Sequence, residues 1–306
     1  MWTYDDNRLA IRDALRLSEG MTYKSAVAGL PLGGGKGVIV LKPGEPVDAK
    51  RRRAALQDFG ETVARLGGTY VTAEDVGTST PDMTVIAKQT SHVSGLSRRA
   101  GGSGDPSPFT ALGVLASIEA TVERAFDSSS LKGRTAAVVG LGHVGLRVAK
   151  LLAKAGAKLV VADIDPTKKA EAEKLGARWT TPHRAMTAAV DVLVPCALGG
   201  VLDHESVPRL QAPTVAGAAN NQLAAADVAD LLREHGVLWA PDFVANAGGI
   251  VNISVEFDRR GYDPDRAKTR TIEIGDTMRR IFDDAASAQT TPLAAAMALA
   301  ESRLKR

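Results

Sequence analysis

Lys24, in the segment MTYK, and Lys36, in LPLGGGKG, stand twelve residues apart, and Asp75 follows in TAEDVGTS. Two amines and a carboxylate can do proton-transfer chemistry if the fold turns them inward. A lysine in a desolvated cleft beside a second lysine is disfavoured in its charged form, by burial and by like-charge repulsion. Such an amine becomes a usable general base near neutral pH, and a nearby carboxylate such as Asp75 can shuttle protons. The three glycines before Lys36 let the backbone pack close to a ligand, at an entropic cost that an ordinary loop has no need of. A phosphate-binding loop is the competing reading of GGGK, but Leu30 stands where its first glycine belongs and Gly37 replaces the hydroxyl that would hold magnesium. The plain alternative for either lysine is a solvated surface cation, because lysine is almost never buried unpaired.

These three side chains need elements to carry them. Apolar spacing predicts a helix over 6–28, with Leu9, Ala14, Leu15, Leu17, Met21 and Ala28 near one side. Met21 and Lys24 are then neighbours on its surface. Residues 37–41 read as a strand and 49–66 as a helix whose polar face carries Lys50 to Arg53. A strand over 69–72 runs into the loop bearing Asp75, and a helix near 81–89 follows. The stretch RRAGGSGDPSP, 98–108, is a loop or hinge by composition. A long helix at about 110–126 follows it.

From Thr135 the pattern changes to short apolar strands alternating with helices. Strands are expected at 135–139, 158–162, 190–195, 214–217 and 237–240, with helices at 144–154, 166–175 and 223–233. Helices near 247–257, 264–286 and 292–304 close the chain. Alternation of this kind predicts a doubly wound parallel sheet with helices on both faces. The expected fold is α/β in two domains. An N-terminal α/β catalytic domain (1–108, completed by 291–306) faces a Rossmann-type dinucleotide-binding domain (109–290), across a cleft that closes over substrate.

The strand at 135–139 runs into Gly140-Leu141-Gly142-His143-Val144-Gly145, which opens a helix. In that setting the first glycine makes the turn, the second admits a pyrophosphate and the third packs helix on strand. The helix N-terminus offers amide donors to phosphate. His143 and Val144 occupy variable positions of this fingerprint. Asp163, ending the next strand, is placed to accept from a ribose 2′-hydroxyl and to repel a 2′-phosphate, which favours NAD over NADP. Lys168 and Lys169 lie nearby and weaken that preference.

Composition narrows the field. A chain of 306 residues accommodates two domains, and its 44% hydrophobic and 24% charged residues are ordinary for a globular protein. The net charge of +3 is small and evenly spread, so no nucleic-acid partner is expected. The lone cysteine, Cys196, permits no internal disulfide and fits a reducing cytoplasm. The opening MWTYDDNRL is neither a signal sequence nor a membrane span, and no later run is apolar enough for one. The five histidines lack metal-ligand spacing, so no metal is assigned.

MTYK, LPLGGGKG, TAEDVGTS, SGDPSPFTA, GLGHVG, PCALGG, GAANNQL and APDFVANAGG occur in the order seen in amino acid dehydrogenases of the Glu/Leu/Phe/Val family. The chain resembles that family over essentially its whole length. The resemblance implies reversible NAD(P)-dependent oxidative deamination of an L-amino acid to a 2-oxo acid and ammonia. By the same resemblance Lys24 pairs with the substrate α-carboxylate, Lys36 polarises the oxo group and activates water, and Asp75 exchanges a proton with the substrate nitrogen. Thr110 is implied as a contact to the nicotinamide amide, Asn221 and Asn246 as asparagines near nicotinamide and substrate, and Cys196 and Ala197 as cofactor-cleft lining.

For substrate choice the resemblance points to Met21, Ala73, Ile250 and Ile253. Glutamate-specific members have a carboxylate-binding serine at the position matching Ile253, and burying a carboxylate against isoleucine is costly. Phenylalanine-specific members have smaller residues matching Ala73 and Ile250. A branched aliphatic substrate, leucine or valine, is therefore expected, with phenylalanine second. A homo-oligomer is implied too. Family members carry a further N-terminal segment with a glycine-rich, substrate-touching stretch before the point matching Met1. Either the start is assigned internally or the chain is a truncated version; truncation would remove one edge of the first sheet and part of the pocket, which leaves a non-catalytic NAD-binding protein as the rival reading.

Overall fold

The computed structural model describes residues 1–44 and 47–305. A short strand β1 (Trp2–Thr3) leads to helix α1 (Asn7–Val27), whose first turn is capped by Asp6 accepting from the Arg8 N–H. Strand β2 (Val40–Leu41) lies parallel to β1, with Trp2 opposite Val40. Helix α2 (Ala49–Arg65) is capped by Asp48, and α3 (Thr80–Ile86) by a reciprocal Ser79/Asp82 box. Arg52 of α2 reaches Asp82 at 2.6 Å and the Gly77 carbonyl at 2.8 Å, so one guanidinium joins α2 to the turn before α3.

The first-half strands are far shorter than expected. Of 37–41 only Val40 and Leu41 are strand, because Gly35 and Gly37 press against the Tyr70 and Phe59 rings rather than joining a ladder. Of 69–72 only Thr72 pairs, in a single parallel bridge with Val93. The Asp75 turn and Gly95 at φ +74° end that pairing on either side. The apolar side of α1 is also only half used. Leu9, Ile11 and Leu15 are exposed, whereas Ala26 and Val27 at its far end are buried.

Helix α4 (Ser107–Phe126) follows the glycine-rich crossover. The Glu256 carboxylate clasps that crossover by accepting the Gly95 N–H at 2.9 Å and the Ser103 N–H at 2.7 Å. The guanidinium of Arg98 stacks over the Tyr262 ring, 5.9 Å from its centre.

Beyond α4 come β3 (Thr135–Val139), α5 (His143–Lys154), β4 (Lys158–Ala162), α6 (Lys169–Glu173), β5 (Arg178–Trp179), α7 (Pro182–Met186), β6 (Val192–Pro195), β7 (Thr214–Val215), α8 (Val228–Glu234) and β8 (Leu238–Trp239). The six strands form one parallel sheet in the order β5-β4-β3-β6-β7-β8. Alternate residues of each central strand enter two separate cores. Ala136, Val138, Leu159, Val161, Val192 and Val194 face one side, while Ala137, Val139, Val160, Ala162 and Leu193 face the other. Burial on both faces is why these runs are continuously apolar. Strand order reverses between β3 and β6, which opens a crevice at their carboxyl ends.

The chain ends with α9 (Asp242–Ala245), α10 (Gly248–Ser254), α11 (Pro264–Ile272), α12 (Ile274–Ser287) and α13 (Pro292–Leu304). The expected helix over 264–286 is two helices parted at Glu273, which itself keeps helical angles. Residues 223–227 precede α8 instead of starting it, because Leu223 bridges to Leu202. The expected helix over 166–175 opens as a 3-10 turn before α6. Strand β5 and helix α7 had no sequence signal, being too short for any periodicity. Helix α13 returns to pack on α1, and Arg303 donates to the carbonyls of Ala26 and Val27.

Candidate active site

Lys24 lies one turn from the end of α1, and the loop carrying Lys36 folds back against the same helix. A methyl group on Gly34 would stand 2.2 Å from the Thr22 nitrogen and 2.3 Å from the Ser18 carbonyl oxygen. The glycines therefore permit close backbone approach; of the run 33–37 none adopts positive φ. Between them Lys36 turns to the other side, where its ammonium makes a hydrogen-bonded ion pair with Asp75. Asp75 sits in a tight turn, its N–H donating to the Thr78 hydroxyl at 2.9 Å and its carboxylate accepting from Val76 at 2.8 Å. Burial pushes the Asp75 carboxyl up. The charge and hydrogen bond of Lys36, with the Val76 N–H, outweigh that and hold it below the usual carboxylate range.

The Lys24 amine is pushed down to about 8, first by burial and also by the charge of Lys36, against the raising influence of Asp242 and Asp75. Lys24, Lys36 and Asp75 thus lie within electrostatic reach of one another. The Lys24 ammonium donates to Asn220 Oδ1 at 3.3 Å, and Asn246 Nδ2 donates to the same oxygen at 2.8 Å and to the Ala218 carbonyl at 3.1 Å. The sequence halves meet here. Asn246 is 6% exposed, and its own Oδ1 is buried with no hydrogen-bond partner among the described residues.

The dinucleotide side is built at the sheet's reversal point. Gly140 has φ +101°, and a methyl there would lie 2.7 Å from Ala197 Cβ. A methyl on Gly145 would meet the Gly140 carbonyl oxygen at 2.0 Å and Cys196 Cβ at 2.8 Å. Gly142, by contrast, faces nothing within 4 Å. One glycine is locked by packing and the other opens onto space at the N-terminus of α5. This arrangement fits a pyrophosphate. Asp163 accepts from Leu141 N–H at 2.6 Å and Asp165 N–H at 2.8 Å, so it also ties down the glycine turn. Val144 is partly buried behind that turn. Thr110 on α4 donates to the Pro106 carbonyl at 3.1 Å and lies against Gly249 of α10. Burial pushes the Cys196 thiol up to about 12, so it is a thiol rather than a nucleophilic thiolate at neutral pH. Blocking by iodoacetamide at pH 7.5 is expected to be slow.

Residues 3–92 match the family model described as Glu/Leu/Phe/Val dehydrogenase, dimerisation domain, and residues 161–306 that of Glutamate/Leucine/Phenylalanine/Valine dehydrogenase. Residues 116–201 also match the NAD binding domain of D-isomer specific 2-hydroxyacid dehydrogenases. The chain is 41% identical over its full length to leucine dehydrogenase of Geobacillus stearothermophilus, covering 82% of that protein. It is 41% identical, over 99% of its length and 84% of the relative's, to valine dehydrogenase of Streptomyces virginiae. The chain belongs to the Glu/Leu/Phe/Val dehydrogenase family. The crystal structure of L-tryptophan dehydrogenase from Nostoc punctiforme is similar, with TM-score 0.84 and 38% identity over 99% of this chain and 85% of that one.

This dehydrogenase is a nicotinamide-dependent enzyme of amino acid oxidative deamination, with an N-terminal dimerisation domain and a C-terminal nucleotide-binding domain. Its substrate-pocket candidates lie on the elements already described. Met21 is partly buried one turn before Lys24, Ala73 lies two residues before Asp75, and Ile250 and Ile253 sit on α10, the latter 8% exposed. Three crevice residues escaped the sequence reading: Asn220, Asp242 and Gln222. The segment GAANNQL shows two adjacent asparagines, and only the fold tells them apart. Asn220 contacts Lys24 and Asn246, whereas Asn221, at φ +52°, turns the chain and offers its carbonyl to Gly200. Among the described residues no group of three His, Cys, Asp or Glu is placed to hold a metal, and no helix is long and apolar enough to cross a membrane.

Proposed function

We propose that this dehydrogenase deaminates a branched aliphatic L-amino acid, leucine or valine, with NAD, in the crevice between residues 1–108 plus 291–306 and residues 109–290. The observation that carries the reading is the contact of Lys24 with Asn220, itself held by Asn246 of the opposite half, with the Lys36–Asp75 ion pair within electrostatic reach of Lys24. Lys24 receives the substrate carboxylate. The unpartnered Asn246 Oδ1 accepts a hydrogen bond from the substrate amino group. Asp75 takes the proton that Lys36 shares with it in their ion pair and passes it to the departing nitrogen, and the Lys36 amine so freed takes one from the water that adds at the substrate carbon. Bound nicotinamide supplies the acceptor for the two electrons released at Cα. Gly140, Gly142 and Gly145 with His143 and Val144 cradle its pyrophosphate, Asp163 its adenosine ribose, and Thr110, Asn221, Cys196 and Ala197 the nicotinamide end.

Ile250 and Ile253 supply an apolar wall, and the likeness to leucine and valine dehydrogenases supports the aliphatic choice. An aromatic substrate, phenylalanine among them, is the second reading, supported by the likeness to L-tryptophan dehydrogenase. Rates of NADH formation on leucine, valine, phenylalanine, tryptophan and glutamate test this directly. Leucine or valine is expected to lead, and an aromatic amino acid in front would overturn the choice. Asp163 disfavours a 2′-phosphate, so NAD is expected to outperform NADP by roughly tenfold or more in kcat/KM. Equal use of the two would reassign that carboxylate. The exposed Leu9, Ile11 and Leu15 of α1, with Trp2 56% exposed, support a homo-oligomer joined through the first domain. A cytoplasmic location is consistent with the single cysteine.

A further inference from the structure

The Lys24 amine has been placed where the substrate carboxylate binds, and it is useful there only while protonated. Three charged groups face it: Lys36 from the glycine loop, Asp75 from the turn before α3, and Asp242 from α9. The charge of Asp242 favours the protonated Lys24 amine, and Asp242 is the one with no part in the chemistry proposed above. It comes from the other half of the chain, 7% exposed, on a helix that packs against α1.

The surroundings of Asp242 are those of a carboxylate rather than an acid. Oδ2 accepts the Gln222 N–H at 2.8 Å and Oδ1 accepts the Phe243 N–H at 2.8 Å. The backbone N–H of Asn221 also stabilises its ionised form. Burial works the other way and raises its pKa, against those amides and Lys24. Gln222 is itself fixed, taking the Trp239 indole N–H at 3.0 Å and donating to the Ala219 carbonyl at 3.1 Å. The clamped segment includes Asn220, whose side-chain oxygen holds the Lys24 ammonium. One buried anion therefore shapes the loop that Lys24 leans on and supplies the negative field beneath it.

We infer that Asp242 is a positioning residue, which keeps Lys24 charged and aimed at the substrate carboxylate across the interdomain crevice. It acts through Lys24 and Asn220. This inference rests on the reading of Lys24 as the carboxylate-binding lysine.

The test measures binding of 4-methylpentanoate, a leucine-shaped carboxylate without an amine, to the NADH-loaded full chain by calorimetry from pH 6 to 9.5. In the wild type, binding is expected to weaken above about pH 8, where Lys24 loses its proton. Lys24→Arg keeps its charge over the whole range and should abolish that alkaline fall. Asp242→Asn removes the anion and should move the fall at least about one unit lower, so that its deficit relative to wild type grows about tenfold between pH 6 and pH 9. Asp242→Ser, whose hydroxyl can still accept an N–H, replaces it should the asparagine variant not fold. A fall abolished by Lys24→Arg but unmoved in the Asp242 variants, or binding reduced equally at every pH, makes Asp242 merely structural and overturns the inference. An alkaline fall that survives Lys24→Arg refutes the reading of Lys24 itself.

Discussion

Replacing Lys36 by alanine is expected to lower kcat about 10²–10⁴-fold, the range for loss of a positioned general base. NADH affinity should stay within about twofold of wild type, since Lys36 belongs to the half that does not cradle the dinucleotide. Its surroundings give the reason. The amine is fixed between glycines that press against α1, Tyr70 and Phe59, and it meets Asp75 in a turn locked by Thr78 and Val76. No other described amine is set against that carboxylate at hydrogen-bond distance. Lys36→Arg separates charge from basicity. Its guanidinium still attracts Asp75 but cannot give up a proton in this range, so it should be nearly as inactive as alanine. Steady-state kcat at saturating amino acid, with NADH fluorescence titration alongside, reads both quantities. Wild-type turnover in the alanine variant would remove Lys36 from the mechanism, and good turnover in the arginine variant would make its role electrostatic.

The second large effect separates two glycines three residues apart. Gly142→Ala should fold like the wild type, because a methyl there meets no atom within 4 Å. The same methyl intrudes where a pyrophosphate must approach the start of α5, so dinucleotide affinity should fall by about 10–100-fold, corresponding to roughly 1–3 kcal/mol of overpacking. Gly145→Ala should do the reverse in kind. Its methyl would lie 2.0 Å from a backbone carbonyl that cannot yield, so the melting temperature should drop before any ligand is added. Thermal unfolding with and without NADH distinguishes them. A Gly142→Ala variant with undiminished NADH binding would place the dinucleotide elsewhere.

The sequence was most readable where chemistry and backbone geometry impose residue types. Lys24, Lys36 and Asp75 stand together because a glycine loop, a helix end and an Asp-led turn leave each little choice of direction. The parallel sheet was readable from apolar runs that only burial on both faces explains. The first-half strands were not, since their residues suit a strand but the glycines and the Asp75 turn take the backbone elsewhere. Neither were Asn220 and Asp242. Choosing between neighbouring asparagines needs the φ of the second, and a carboxylate that acts through space leaves no spacing pattern in the chain.

Glu256 fastens the chain at Gly95, just before the glycine-rich crossover, and at Ser103 within it. In the proposed division the chain passes between its halves there and once more ahead of α13, which is anchored to α1 through Arg303. Two passages define a line, so closure of that crevice would be a swing about it, like a door on a pair of pivots. The upper pivot is a single carboxylate gripping two amides. Loosening that grip would leave the reacting groups untouched and is expected to change how fast the doorway reopens, and with it how long product lingers inside.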